Sequence, residues 1–241
     1  KTRNNMFVRL EVDRRNVFVG EPVVASYKLY TRLRSESKVT RRPSFNGFSV
    51  YDMANPESME STREQYQGKD FNVYLLRKVQ LYPLQAGTLE LESMEVTNDV
   101  RFIRAEALDA GYSAAGILRE LAAGLNNSGA IRQEIIAIEN PPVVIQVKPL
   151  PPVTDSGYSG GVGHFNIRTS VAASEVHAQD VVELEIQVAG KGNFPMITAP
   201  QVPWPEGIEV FDGASKDQFN KFISPLSGSK IFTIPFTVKK G

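Results

Sequence analysis

The sequence predicts an all-β protein made of two tandem immunoglobulin-like sandwich domains, and three observations carry that prediction. Apolar residues recur with period two along most of the chain, the pattern of strands buried on one face. A proline- and glycine-rich stretch interrupts this pattern near its middle. The patterns on its two sides lie over each other at a nearly constant offset. With 241 residues the chain has room for one large domain or two of ordinary size.

The elements follow in order. Met6, Val8, Leu10 and Val12 form one face of a first strand, with Arg9 and Glu11 on the other. After Gly20-Glu21-Pro22 the alternation resumes at Val23, Ala25, Tyr27 and Leu29. Leu75, Val79 and Leu81 predict a third strand, although Arg77 breaks its apolar face. Leu89 and Leu91 share one parity while Met94 and Val96 share the other, so a bulge or strand break is expected near Ser93. Val143, Ile145 and Val147 give a last strand before Lys148-Pro149-Leu150-Pro151-Pro152. Residues 153–163 then hold Gly157, Gly160, Gly161 and Gly163 and read as a linker. A phosphate-binding loop is excluded there, because no Gly-Lys-Ser/Thr and no helix signal follow. Strands return with Phe165, Ile167, Thr169 and Val171, then Val182, Leu184, Ile186 and Val188, then Phe232, Ile234, Phe236 and Val238.

A shift of 159 places Met6, Val8, Leu10 and Val12 on Phe165, Ile167, Thr169 and Val171, and Val23, Ala25, Tyr27 and Leu29 on Val182, Leu184, Ile186 and Val188. A shift of 160 pairs Pro43 with Pro203, Gly47 with Gly207, Val50 with Val210, Tyr51 with Phe211 and Asp52 with Asp212. The organisation expected is therefore a first sandwich over residues 1–152, a linker over 153–163 and a second sandwich over 164–241. Residues 97–140 have no counterpart in the second half and hold a predicted helix. Ile117, Leu118, Leu121 and Leu125 share one of its faces, Ser113 is its N-cap, and Asn126 and Asn127 stand near its end. That face either packs on its own sandwich or docks a partner. Aligning residues 81–87 with the end of the chain by a shift of 154 sets Tyr82 against Phe236 and Leu84 against Val238. On this alignment the second sandwich lacks two strands, near 88–96 and 141–148. The expectation is that a longer protein supplies them between Gly241 and a membrane anchor. The start, Lys1-Thr2-Arg3, likewise reads as cut from something longer.

Composition narrows the function. Twenty-seven Lys and Arg balance 27 Asp and Glu, which argues against a nucleic-acid or anionic-membrane binder. No apolar run exceeds four residues, whereas a membrane helix needs about twenty. The absence of cysteine excludes disulfides, thiolate metal sites and cysteine nucleophiles. His164 and His177 are the only imidazoles, and neither has a Ser–Asp set nearby in sequence. Carboxylates such as Glu90 and Glu92 fall on the solvent side of a strand. No catalytic residue, metal or cofactor is expected.

Val17-Phe18-Val19-Gly20-Glu21-Pro22-Val23-Val24, running into Tyr27-Lys28-Leu29-Tyr30-Thr31, resembles the opening of the BatD family, the oxygen-tolerance or aerotolerance proteins. Leu81-Tyr82-Pro83-Leu84-Gln85-Ala86-Gly87-Thr88-Leu89-Glu90-Leu91 resembles that family's Tyr-Pro-x-x-Ala-Gly strand signature. Val188-Ala189-Gly190-Lys191-Gly192-Asn193-Phe194 resembles its Gly-x-Gly-Asn hairpin, which Ala199-Pro200 and residues 207–211 follow as a proline-rich crossover. The resemblance touches both halves. It implies tandem immunoglobulin-like domains on the periplasmic face of the inner membrane, tethered by an anchor outside this sequence. It also implies protein partners with von Willebrand A domains and tetratricopeptide repeats, and it carries no catalytic or ligand residues.

Several groups remain to be placed. Arg32, Arg34, Lys38, Arg41 and Arg42 crowd eleven residues that contain one acid, Glu36. They are expected on a loop, either simply solvated or docking an acidic partner or lipid headgroups. Ile117, Leu118 and Leu121 are the helical candidates for a partner surface. Trp204, between Pro203 and Pro205, is either a sandwich plug or a sugar-stacking platform. Gly190-Lys191-Gly192-Asn193 suits a tight turn. The favoured reading is a non-catalytic interaction or scaffold module of a complex linked to oxygen or stress tolerance. A carbohydrate-binding module using Trp204 is the alternative, and a hydrolase stands last.

Overall fold

The computed structural model describes residues 4–54, 61–104, 106–107, 111–125, 129–152, 157–173 and 175–239. Asn126, Asn127 and residues 153–156 of the expected linker lie outside these. The chain is all-β and sandwich-like. In its N-terminal part, β1 (Met6–Val12), β3 (Val23–Thr31), β7 (Lys69–Pro83) and β5 (Phe48–Asp52) lie in that order in one sheet. Strand β6 (Thr62–Tyr66) takes the remaining edge of β7. Facing strands form two runs, β2 (Asn16–Phe18) beside β11 (Val143–Lys148) and β8 (Gly87–Leu91), and β10 (Ile131–Glu139) beside β9 (Glu95–Ile103) and β4 (Ser35–Arg41).

The alternation explains the layering. Leu10, Tyr27 and Leu81 point inward from one sheet and meet Leu91, Ile145 and Val147 from the other in one buried cluster. Each such side chain contributes about 1.5–3 kcal/mol by leaving water. The parity switch at Ser93 is a strand break between β8 and β9, and a matching break separates β10 from β11. Buried Asn140 joins the two breaks: its Oδ1 accepts the Met94 N–H at 2.8 Å and its amide donates to the Pro141 carbonyl at 2.8 Å.

The C-terminal part is a single sheet, β12 (Gly163–Val171), β13 (Val181–Gly192), β16 (Ser227–Val238) and β14 (Ile208–Val210), with β15 (Ala214–Asn220) on the rest of β16. Adding 159 to every pair of the β1–β3 register gives pairs of the β12–β13 register. Strand β14 meets β16 as β5 meets β7. The offset between β7 and β16 is 155, since Val23 faces Leu81 and Val182 faces Phe236. The alignment of the chain end by 154 is thus wrong by one residue, and Phe236 corresponds to Leu81. The physical reason is that Tyr82 is buried too, although it points away from the N-terminal core. Hydrophobicity therefore does not distinguish the parities there, and a one-residue slip reverses every side chain.

That outward burial creates a seam. Gln80, Tyr82 and Tyr51 lie on the outer face of the first sheet, and Tyr82 clusters with Ile186, Phe194, Leu226 and Phe232. The Gln80 amide donates to the carbonyls of Lys221 and Ile223 at 2.8 and 2.9 Å. Its Oε1 accepts from the Tyr82 hydroxyl at 2.9 Å, which in turn accepts the Leu226 N–H at 2.8 Å.

Two local expectations are corrected. The glycines of Gly190-Lys191-Gly192-Asn193 are not in a tight turn but in the end of β13, where Gly190 pairs with Phe165 and Gly192 with Gly163. A Cβ at Gly190 would sit 2.0 Å from the His164 carbonyl oxygen, so the strand-to-strand approach requires glycine. Asn193 is buried and straps the linker to the sheet, accepting the Val162 N–H at 2.6 Å and donating to the Gly160 carbonyl at 3.1 Å. The middle of the basic stretch, with Lys38 and Arg41, is a strand, β4, rather than a loop, because Val39 turns toward the core while its neighbours face water; Arg32, Arg34 and Arg42 lie on the loops that flank it, as expected.

Helix α1 (Ala114–Ala123) lies between β9 and β10. Ser113 caps it, its hydroxyl accepting the Gly116 N–H at 3.1 Å, and left-handed Gly124 closes it. Ser113→Ala is expected to cost the helix about 1 kcal/mol. Amide exchange should quicken across 114–123 while the melting of the β-sheets stays put; a global shift of the melt would contradict the helix's local character.

Candidate functional site

Strand β4 is an edge, hydrogen-bonded to β9 alone among the described residues. Charged side chains on an edge strand discourage indiscriminate sheet pairing, and the five cations divide by what they touch. Arg32 donates to Asn5 Oδ1 at 3.3 Å and lies 5.9 Å over the Phe71 ring. Arg41 pairs with Glu139 and donates to Ser93 Oγ at 3.0 Å. Arg34, Lys38 and Arg42 are exposed and form no ion pair with the described residues. Arg32 and Arg41 therefore serve the fold, and the other three are available to a partner.

Arg34 also lines a cleft of about 490 Å³ with Ser35, Glu36, Asp99, Arg101 and the C-terminal turn of α1 from Leu121 to Gly124. The fold thus brings the basic strand and the helix together, which sequence spacing does not reveal. Asp99 accepts from Gln133 Nε2 at 2.5 Å, while its buried Oδ1 has no hydrogen-bond partner among the described residues. Two guanidiniums and two carboxylates in one groove beside an open strand edge suit a polypeptide better than a simple anion. The helix's C-terminal carbonyls, the negative end of its dipole, act in the same direction.

The apolar helix face is split. Ile117 is buried against Ala107 and Ala130, Leu121 is half-buried at the cleft, and Leu118 is 57% exposed. Ile117 is thus covered from within the 97–140 segment itself, and Leu118 is left in water. Ala107 and Ala130 are too small to cover a wider stripe.

Trp204 is half-buried, its ring centroid 5.1 Å from that of Phe236 and tilted 47° to it, so it packs on the C-terminal sheet. Tyr51 and Phe211, matched by the repeat, differ in role: Tyr51 joins the seam against Tyr82 and Phe219, whereas Phe211 is exposed. His164 is exposed, and His177 lies 3.5 Å from Asp180 at the surface. Glu92 accepts the Ser44 N–H at 3.1 Å, and hydrogen bonds from Ser44 hold its carboxyl below the usual value.

A second cluster was missed by the sequence reading. Phe7, Tyr30, Tyr66 and Phe71 pack together on the outer face of the first sheet. The Tyr30 hydroxyl donates to Glu64 at 2.7 Å, and burial followed by that hydrogen bond raises its pKa. Lys28 bridges Glu11 and Glu64 at 2.9 and 3.2 Å. The signal was present in the aromatics of opposite parity, Phe7 and Tyr30, which interrupt the expected polar face.

No helix among the described residues is long and apolar enough to cross a membrane. No model of a protein family matches the chain, and a search of curated proteins finds no match either.

Proposed function

We propose that the chain is a non-catalytic, extracytoplasmic interaction module of the BatD type, with two immunoglobulin-like units and a helical insertion in the first. The order β1-β3-β7-β5 over β4, β8–β9 and β10–β11 supports the immunoglobulin-like reading, since it follows the A-B-E-D and C-F-G layers of that fold. The observation that carries the function is the cleft that joins Arg34, just before β4, to Leu121 on α1. It brings the start of an open strand edge, the unpaired Arg34 and the half-buried Leu121 of α1 to one place. The partners proposed from the resemblance are von Willebrand A-domain and tetratricopeptide-repeat proteins of the same system. Trp204's contact with Phe236 gives the carbohydrate reading no support.

The test is binding of those two classes of protein to the chain and to an Arg34→Glu/Lys38→Glu variant. Both positions are exposed, so the fold should persist. Affinity is expected to fall about tenfold or more, chiefly through slower association. Unchanged affinity would remove the cleft from the interface.

A further inference from the structure

The sheets β1-β3-β7-β5 and β12-β13-β16-β14 share strand order and register, yet only the first is fully covered. Val8 is 4% exposed, in one cluster with Val96, Val100 and Ile138 of β9 and β10. Its counterpart Ile167 is 61% exposed. Val171, the counterpart of Val12, is 44% exposed. The crossover through Phe194, Ile197 and Val202 seals only the middle of the second sheet, over Ile186, Val188 and Phe232.

The backbone shows the same vacancy independently. In the N-terminal part, β2 runs parallel to β11, and beside that ladder the Val19 N–H donates to the Lys148 carbonyl at 3.0 Å. The turn after β2 recurs at offset 159 in fine detail. Gly20 and Gln179 both have φ of 78°. Their N–H groups donate to the Pro83 and Val238 carbonyls at 2.9 and 3.0 Å. The Glu21 and Asp180 carboxylates accept the Phe18 and His177 N–H groups at 2.8 and 3.1 Å. Val176 stands where Val17 stands, but residues 175–178 join no ladder among the described residues. A slot shaped for a strand like β11 is therefore open.

We propose that this face seats an aliphatic β-hairpin donated in trans by a partner polypeptide. One strand lies parallel to 175–178, as β11 lies along β2, and inserts branched aliphatic residues at alternate positions, as Val143, Ile145 and Val147 do. A second copy of this chain is not the occupant, because the hairpin pair it would have to lend, β8 and β11, is already buried in its own N-terminal sandwich. The inference rests on the repeat of the two units and uses a face separate from the β4–α1 cleft, so either can fail without the other.

The probe is a cyclised peptide joining residues 87–91 to residues 143–148 through an Asn-Gly turn, titrated into the 241-residue chain. Amides of 176–178 should exchange about tenfold more slowly, and the fluorescence of Trp204, the sole tryptophan, should shift to the blue. Thr169→Glu/Val171→Glu, at two exposed positions whose counterparts Leu10 and Val12 pack with β8 and β11, should abolish both effects. The proposal is overturned by a saturating peptide that changes neither signal, or by equal protection from a peptide with its aliphatic residues moved to the other parity. Concentration-dependent dimerisation that the same double variant removes would assign the face to a second copy instead.

Discussion

Gln80→Leu is expected to loosen the seam between the two sheets by about 2–4 kcal/mol. Leucine nearly matches glutamine in volume, so packing is retained and the loss is polar. Three hydrogen bonds vanish together: the two amide donations to the Lys221 and Ile223 carbonyls and the acceptor for the Tyr82 hydroxyl. Tyr82 and Gln80 are fully buried, so their unsatisfied groups have no ready access to water. Urea unfolding followed by Trp204 fluorescence should show the loss, and proteolysis should begin at residues 221–226. Tyr82→Phe, which removes one donor and one acceptor, should cost less, about 1–2 kcal/mol. Burial also pushes the Tyr82 hydroxyl from 10.0 up to about 12, against a smaller opposing effect of the Leu226 N–H. The unfolded chain then releases this proton first, so its contribution to stability is intact below pH 10.0 and declines as pH rises toward about 12. Tyr82→Phe should flatten that part of the alkaline profile. A Gln80→Leu protein as stable as the parent would show the seam to be held by apolar contact alone.

Gly190→Ala should be the most damaging single methyl group in the C-terminal sheet. The added Cβ would lie 2.0 Å from the His164 carbonyl oxygen and 3.0 Å from the Phe165 Cα. Both are backbone atoms of the paired strand, so no side chain can swing aside, and β12 must withdraw from β13. Overpacking of this kind costs about 1–3 kcal/mol even where neighbours can adjust; here about 3 kcal/mol or more is expected, with exchange protection lost along β12. Gly87→Ala is the control. Its backbone is also at positive φ, 133°, but its Cβ would meet nothing within 4 Å. Equal effects of the two substitutions would reduce the Gly190 result to backbone strain.

The repeat was legible because it is written in local terms. Strand alternation, the Gly20-Glu21 turn and its counterpart at Gln179-Asp180, and the offset of 159 all depend on neighbours within a few residues, and they recur in the ladders. The helix start at Ser113 was legible for the same reason, since a cap is a contact over three residues. The strand β6 was missed because Thr62–Tyr66 carries little apolar signal; its pairing with β7 is what makes it a strand.

The candidate surface was legible only in parts. Arg32, Arg34, Lys38, Arg41 and Arg42 stood out by density, but their division into structural and free cations depends on Asn5, Phe71, Ser93 and Glu139, up to 98 residues away. Likewise nothing in the spacing of Ile117, Leu118 and Leu121 says that two small alanines face them and leave Leu118 in water.

By itself the sequence determined the all-β class, the two matching strand patterns and the place of the helix, because periodicity and capping are properties of short segments. Tertiary structure decided the rest: that Tyr82 is buried from the outer side, that Gly190 admits a neighbouring backbone, and that β4 and α1 enclose one cleft. Those outcomes come from approaches between distant segments, where an ångström of separation or a one-residue register sets which side chain is covered. Local pattern holds no record of such distances.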